Sequence, residues 1–517
     1  MVGNSAYSSL QRWGVMAMAV VSSVSTVASA TIINVAIPDI MGALGINPVD
    51  AQWLSAGFLA AMTASMVLVD YSSKAFGQRQ VMVVALAAFV VASAVGAITS
   101  DATTLIAMRL IQGAAAGIVQ PLSMIAIFQV YPPERRGTAM GIFGVGVVLA
   151  PALGPYFGGV MVEAWDWRSV FIVTVPMGAI GIALSLPFMP AGSFKGKRPR
   201  FDWPAFTLLV AFLILGLTAF ADGPELGWDD TSITVRFVLC LLFAVLFVAR
   251  EVYASEPLVD VRVFLSPAFT GASLVGVALG AGLFGSTYLL PLFVQTVQGL
   301  TPMQAGAIIL PAGLSMIFLT PFTGRLADRI NPGIQVCFGL VLFTVSFFLM
   351  SMADVRTGAV TLALWIMISR IGMGFIFPAI NAGGVRALPP ELLAQGAASM
   401  NFVRQLSGAF GVNIIAVVLA DRTRAYNAQI VASLDPTSDA SARYIDQLSS
   451  MMTPLNLSEA ESYGAGVAHL AQAINTQAAV MAYSVAWNGF AIAFSLSLIG
   501  GLMMYFGGKS PRASVTA

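Results

Sequence analysis

Charged side chains are scarce in this chain: they make up 9% of its 517 residues, against about a quarter in a soluble globular domain. That shortage, beside 58% hydrophobic residues and a mean hydropathy of +0.85, excludes a water-soluble globular fold. Histidine is almost missing. His469 stands alone, which argues against a histidine-based metal cluster or catalytic triad. The only two cysteines, Cys240 and Cys337, each sit inside an apolar run and read as packed thiols rather than a disulfide or a metal pair. A net charge of +1 and the lack of a long basic run argue against nucleic acid as a partner. Gly507-Gly508-Lys509-Ser510 ends like a phosphate-binding loop, but Met503 occupies the place of the leading glycine and no strand precedes it. Enzyme readings therefore find little support.

What the chain has instead is long apolar runs. A membrane crossing needs ~20 such residues, and fourteen runs qualify, centred in 13–35, 53–69, 81–98, 105–128, 139–162, 169–189, 203–221, 233–249, 268–293, 306–322, 334–352, 360–380, 394–420 and 482–506. The expectation is an all-α polytopic membrane protein. The first run is too long for a signal-peptide core and reads as the first span. Of the 25 Lys and Arg residues, sixteen fall in segments on the side of the N-terminus and five on the other, with Arg109, Arg236, Arg370 and Arg404 inside spans. That bias puts both termini in the cytoplasm.

Two segments interrupt the regular spacing. The stretch 190–204, with Lys195, Lys197, Arg198 and Arg200, reads as a hinge between halves. It gives a division into 1–190, a linker with two inserted helices over 191–262, and 263–517. The outer segment 421–481 is long for a loop. Within it Val467, Leu470, Ile474, Ala478 and Met481 form an apolar stripe at helical spacing. It reads as a helical hairpin capping the outer face, or as a docking surface for a partner. The halves also echo each other: Arg109, Gly113 and Pro121 in the fourth run are matched by Arg370, Gly374 and Pro378 in the twelfth. Such internal symmetry belongs to transporters built from duplicated bundles, with the substrate site between repeats.

The motifs follow in order. Arg109-x-x-Gln112-Gly113 opens the series. A Gly/Pro stretch runs from Gly146 through Pro151 to Gly154-Pro155-x-x-Gly158-Gly159. Then come Trp167-Arg168-x-x-Phe171 with Pro176, Gly324-x-Leu326-Ala327-Asp328-Arg329, and Gly396-Ala397-Ala398-Ser399 leading to Arg404-Gln405-Leu406-Ser407-Gly408. Together they resemble the fourteen-span drug:proton antiporters of the major facilitator superfamily, most closely the multidrug exporters that work with a periplasmic adaptor. The resemblance implies two six-helix bundles plus two inserted helices, a bacterial inner membrane, a small-molecule substrate within the lipid bilayer, no cofactor beyond a proton gradient, and a possible adaptor partner. It also implies a proton-transfer role for Arg109 and a cytoplasmic latch role for Asp328 and Arg329. On physical grounds Gly154, Gly158 and Gly159 allow close helix approach and Pro151 and Pro155 bend the chain, as a gate requires. An intramembrane arginine must face a cavity or a partner.

The sequence departs from that family where an acid is expected in the first span: Ser29 stands there, just before Thr31-Ile32-Ile33-Asn34. Asp70 and Lys74 replace the usual residues of the first cytoplasmic loop and, one helical turn apart, are placed to pair. Every Asp and Glu falls in a loop or near a span end, so the interior holds Arg109, Arg370 and Arg404 without an acid. Either the central cavity is electropositive and favours anionic or neutral amphipathic cargo, or these arginines are scaffold features bonded to carbonyls. Asp39, Asp70 and Glu163 at span ends are the candidate proton carriers, or the proton travels on an acidic cargo. Cavity candidates are Ser29, Asn34, Gln120, Met124, Tyr288, Gln295, Arg370, Phe377, Asn381, Asn401, Arg404 and Gln405, with Phe410 beside them. The rival classes are a facilitator or importer of a small organic anion, and a scaffold or sensor that moves nothing.

Overall fold

The computed structural model describes residues 7–191, 201–254, 257–327, 329–384, 387–389, 392–433, 443, 447 and 459–507. The expected hinge cluster 195–200 and Asp328 lie outside the described residues. All regular structure among the described residues is helical. In chain order the helices are α1 Ser9–Ile32, α2 Ile37–Leu44, α3 Pro48–Ala51, α4 Trp53–Met66, α5 Val69–Phe76, α6 Gln78–Ile98, α7 Ala102–Val130, α8 Pro133–Ala164, α9 Ser169–Ile172 and α10 Thr174–Phe188. Two more, α11 Trp203–Leu226 and α12 Thr231–Tyr253, precede α13 Pro267–Thr296, α14 Pro302–Ala327, α15 Pro332–Met350, α16 Ala359–Gly384, α17 Leu393–Ser433, α18 Glu459–Leu496 and α19 Leu498–Gly507.

Twelve helices are long and apolar enough to cross a membrane, and the bent pair Pro48–Met66 and Val69–Phe76, at 55°, makes up to thirteen. The helix α8, 32 residues long, stands where the fifth apolar run was expected. It is unbroken from Pro133 to Ala164, through both Pro151 and Pro155.

In lipid every backbone group must be satisfied within its own segment, which is why helices are the solution here. The hydroxyls inside them follow the same rule by bonding back one turn: Thr63 donates to the Leu59 carbonyl, Ser93 to that of Phe89 and Ser185 to that of Gly181, each at 2.7 Å. Helix starts are set by side-chain caps. Asp101 accepts from the Thr104 amide at 2.7 Å, and Thr301 and Gln304 cap each other reciprocally ahead of α14. Between α5 and α6 the chain turns at Gly77, whose φ of 87° favours glycine.

Packing gathers the helices into two groups. Val15 and Met18 of α1 meet Met82 and Phe89 of α6, Val119 and Leu122 of α7, and Ile182 of α10 in one core. In the other, Phe343 of α15 stacks on Phe494 of α18 with ring centroids 4.3 Å apart, and Phe347 lies beside Trp487 and Phe490. Helices α11 and α12 pack on each other and reach α17 through Leu209, Leu213, Phe247 and Phe402. Asp70 and Lys74 form the expected pair, 2.6 Å apart and largely exposed.

The described residues of 421–481 are helical, as the apolar stripe suggests, but the helices are continuous with the membrane helices where a separate hairpin was expected. α17 continues to Ser433 and α18 begins at Glu459, so much of it is an extension of the flanking membrane helices. Sequence hydropathy fades after residue 420, but Ala, Arg and Gln sustain a helix without being apolar. Arg443 and Gln447 are helical as well.

Candidate functional site

Arg109 on α7 is 1% exposed and held by four groups. Its Nε donates to the Leu54 carbonyl at 2.7 Å, and its Nη1 donates to Ser29 Oγ at 3.0 Å and Gln112 Oε1 at 2.8 Å. The guanidinium also lies over the Phe58 ring, 4.4 Å from its centre. Gln112 extends the chain to Ser93, which accepts at 2.8 Å, and Thr174 joins Ser93 at 3.0 Å. Nη2 is buried without a partner among the described residues. Gly113 makes this arrangement possible, because a Cβ there would strike the Phe58 carbonyl. None of the ion pairs among the described residues involves Arg109, Arg370 or Arg404.

The second half repeats the design. Arg370 on α16 is 4% exposed, and its Nη2 donates to Ser286 Oγ and Thr287 Oγ1 of α13, both at 3.2 Å. Ser286 lies 19 residues into α13, much as Ser29 lies 20 into α1. In both halves an arginine of the fourth span is therefore anchored by hydroxyls of the first.

Arg370, unlike Arg109, lines a cavity between the two groups of helices. Gln120, Phe377, Arg404 and Gln405 line it too, as do Met62, Leu283, Phe284, Thr287, Ile309, Met316 and Met373. Arg404 sits over the Phe377 ring at 4.9 Å, and its Nη2 donates to Asn401 Oδ1 at 2.7 Å. Among the described lining residues none is acidic.

The other expected cavity residues lie elsewhere. Ser29 serves Arg109. Asn34 bridges the groups, donating to the Thr287 carbonyl at 3.2 Å and accepting from Ser55 at 2.6 Å. Gln295 does likewise, donating to the Val35 carbonyl at 3.0 Å. Tyr288 is buried, Met124 is half-buried outside the cavity lining, and Asn381 is exposed and donates to the Phe377 carbonyl. Phe410 packs on Phe212 at 5.5 Å, toward the inserted helices. The apolar lining residues carried no sequence signal. Ser286 and Thr287 did: they are what the repeat predicts opposite Arg370.

The Gly/Pro stretch of α8 packs closely against α1 within its own group and against α14 of the other. Gly154 and Gly158 face Thr31 and Ile32 of α1, where added Cβ atoms would come within 2.8 Å of Thr31 Oγ1 and 2.6 Å of Ile32 Cγ1. Gly159 faces α14 instead: a Cβ would strike the Pro302 carbonyl and lie 2.7 Å from Met303 Cα. Gly306 returns the contact, its Cβ position lying 2.6 Å from Tyr156 Cα. This seam and the Asn34 and Gln295 bridges all gather at the end of the bundle where α1 finishes. Arg329 is exposed at the other end of α14 and, among the described residues, bonds only within its own turn.

Two helical groups, a central cavity between them, and an arginine-and-hydroxyl unit repeated in each half define a secondary transporter. The Major Facilitator Superfamily profile matches residues 19–412, and the chain belongs to that superfamily, a family of transporters and not of enzymes. It is 30% identical over 390 residues to the methylenomycin A resistance protein of Streptomyces coelicolor, covering 75% of this chain and 82% of that one. It is 29% identical over 422 residues to the multidrug export protein EmrB of Escherichia coli, covering 81% and 82%. A bacterial homologue of the human lysosomal transporter Spinster, solved inward-facing and unoccupied, shares the fold, with a TM-score of 0.64, 14% identity and coverage of 98% and 100%. The chain is thus a multi-pass membrane protein that acts on small molecules within a bilayer.

Proposed function

We propose that the chain exports amphipathic small molecules, drugs or toxic metabolites among them, by alternating access in a bacterial inner membrane, with both termini inside. The observation that carries the reading is the reciprocal glycine seam of Gly159 and Gly306 beside the cavity. With the termini inside, the seam closes the outer end, and opening it is the export step. In this reading Pro151, Gly154, Pro155, Gly158 and Gly159 form the gate, and Arg109, Gln112 and Gly113 form the pivot beside it. Gln120, Arg370, Phe377, Arg404 and Gln405 face the cargo, while Asp328 and Arg329 act on the cytoplasmic side. The functional division is 1–190, 191–262 and 263–517.

Export is driven by protons. Of the three end-of-span acids, Asp39 is the one whose carboxyl is raised from its ordinary value, by partial desolvation at the start of α2. Asp70 is tied to Lys74, and Asp39 is the acid whose surroundings favour the protonated form, so Asp39 is our candidate proton carrier. The helical extensions of α17 and α18 are the surface on which a periplasmic adaptor would sit. Reconstituted vesicles with an imposed pH gradient test the core of the reading: gradient-driven extrusion of a fluorescent amphipath is expected. Equal movement with and without the gradient favours the facilitator, and no movement under any gradient favours a scaffold.

A further inference from the structure

We infer that the cavity selects organic anions, and that Arg370 is the residue that binds the anionic group of the cargo; this rests on the exporter reading and names its substrate class. Arg370 is nearly fully buried yet lines the cavity, and only one of its terminal nitrogens is used by Ser286 and Thr287. The other, Nη1, is buried without an acceptor among the described residues. A buried donor left unmade is costly, more so on a charged group, and an acceptor oxygen from cargo in the cavity removes that cost.

Three further observations point the same way. Arg404 adds a second positive charge to the lining, and no described lining residue carries a negative one. Gln405, 5% exposed, has a buried Oε1 without a donor, which suits a cargo carrying an N–H or O–H near its anionic group. The remaining wall, including Leu283, Ile309, Met316 and Met373, is apolar and adaptable, so the body of the cargo is hydrophobic. Arg109 provides the internal contrast. Built on the same plan, it too leaves one terminal nitrogen unpartnered among the described residues, but it does not reach the cavity, so only the Arg370 nitrogen is open to cargo. The class is therefore an amphipathic aryl or alkyl carboxylate or sulfonate.

The test uses the purified full chain and three probes with one polycyclic aryl body bearing a carboxylate, a primary carboxamide or a trimethylammonium group. Binding is read by calorimetry in detergent and extrusion in reconstituted vesicles. The carboxylate is expected to bind at least about tenfold more tightly than the carboxamide, and the cation more weakly than either. Arg370→Gln is expected to cut carboxylate affinity by about tenfold or more while leaving the carboxamide within about twofold, so the neutral probe shows that the same variant is folded. Arg370→Lys should fall between, since it keeps the charge but loses the planar fork. Equal loss for carboxylate and carboxamide would assign Arg370 a structural role and overturn the inference. Should the variant not fold, the wild-type ranking still decides: tighter binding of the cation overturns the inference on its own. Extrusion of the cation alone would do the same while leaving the exporter reading intact. The expected binding ranking without extrusion of any probe would uphold the anion site and remove the exporter.

Discussion

Replacing Gly159 by alanine adds one methyl group at the seam between α8 and α14. The new Cβ would lie 2.7 Å from Met303 Cα, whereas ordinary contact there is 3.4–4 Å, and it would also strike the Pro302 carbonyl. Both obstacles are backbone, so no side chain can swing aside and the helices must part by about 1 Å, at a cost typical of overpacking, about 1–3 kcal/mol. The penalty exists only while this end is closed. It therefore shifts the closed-to-open equilibrium by about 5- to 150-fold toward open. Nitroxide labels on Glu163 and Arg356, both exposed and on opposite groups at this end, read that equilibrium by pulsed dipolar distance measurement after Cys240 and Cys337 are replaced. The distribution should gain a longer component in the variant. An unchanged distribution in a folded, monodisperse sample would refute the view that this seam is a gate held shut by backbone contact.

Other outcomes follow from the same geometry. Arg109→Leu leaves Ser29, Gln112 and the Leu54 carbonyl without their donor, so thermal unfolding in detergent should report a loss of about 3 kcal/mol or more and extrusion should cease. Ser29→Asp places a carboxylate where a hydroxyl now meets Arg109 at 3.0 Å; transport should then depend more steeply on the imposed pH gradient, and unchanged dependence would separate this position from coupling. Asp39 has its carboxyl raised by burial, so its ionisation opposes the folded state as pH rises above 3.8. Asp39→Asn should be more stable than the parent at pH 7, with the difference shrinking as pH falls toward 4; melting curves across that range decide it. Asn34→Ala removes one bridge between the groups at the seam end and should cost about 1 kcal/mol of closure, seen as a smaller shift in the same label pair.

Much of this architecture is legible in the sequence because lipid permits few solutions. Apolar runs of spanning length can be little other than helices in a bilayer, and they carry the fold. Arg109 announces itself by its cost, and Ser29 by standing where an acid is expected. What is not legible is orientation within an apolar helix. Met316 is 6% exposed and lines the cavity, whereas Phe318 is 82% exposed, though the two lie two residues apart in α14 and are equally hydrophobic. Where both faces are apolar no periodicity separates cavity from lipid. Backbone acceptors are equally silent: the Leu54 carbonyl holds Arg109 without any side-chain signature. Polar side chains misled in the other direction, since Asn34 and Gln295 bridge helices at the seam and do not face the cavity. Hydropathy also stops at 420, while α17 does not.

That last helix has a mechanical consequence. α17 carries Arg404 in the cavity wall and continues unbroken to Ser433, 29 residues further on, about 44 Å at 1.5 Å per residue. A rigid rod pivoting near Arg404 by about 10° moves its far tip by ~8 Å over that length. Such a pivot would carry a movement at the cavity wall out to whatever rests on the tip, without any loop having to refold. The transporter contains its own lever arm.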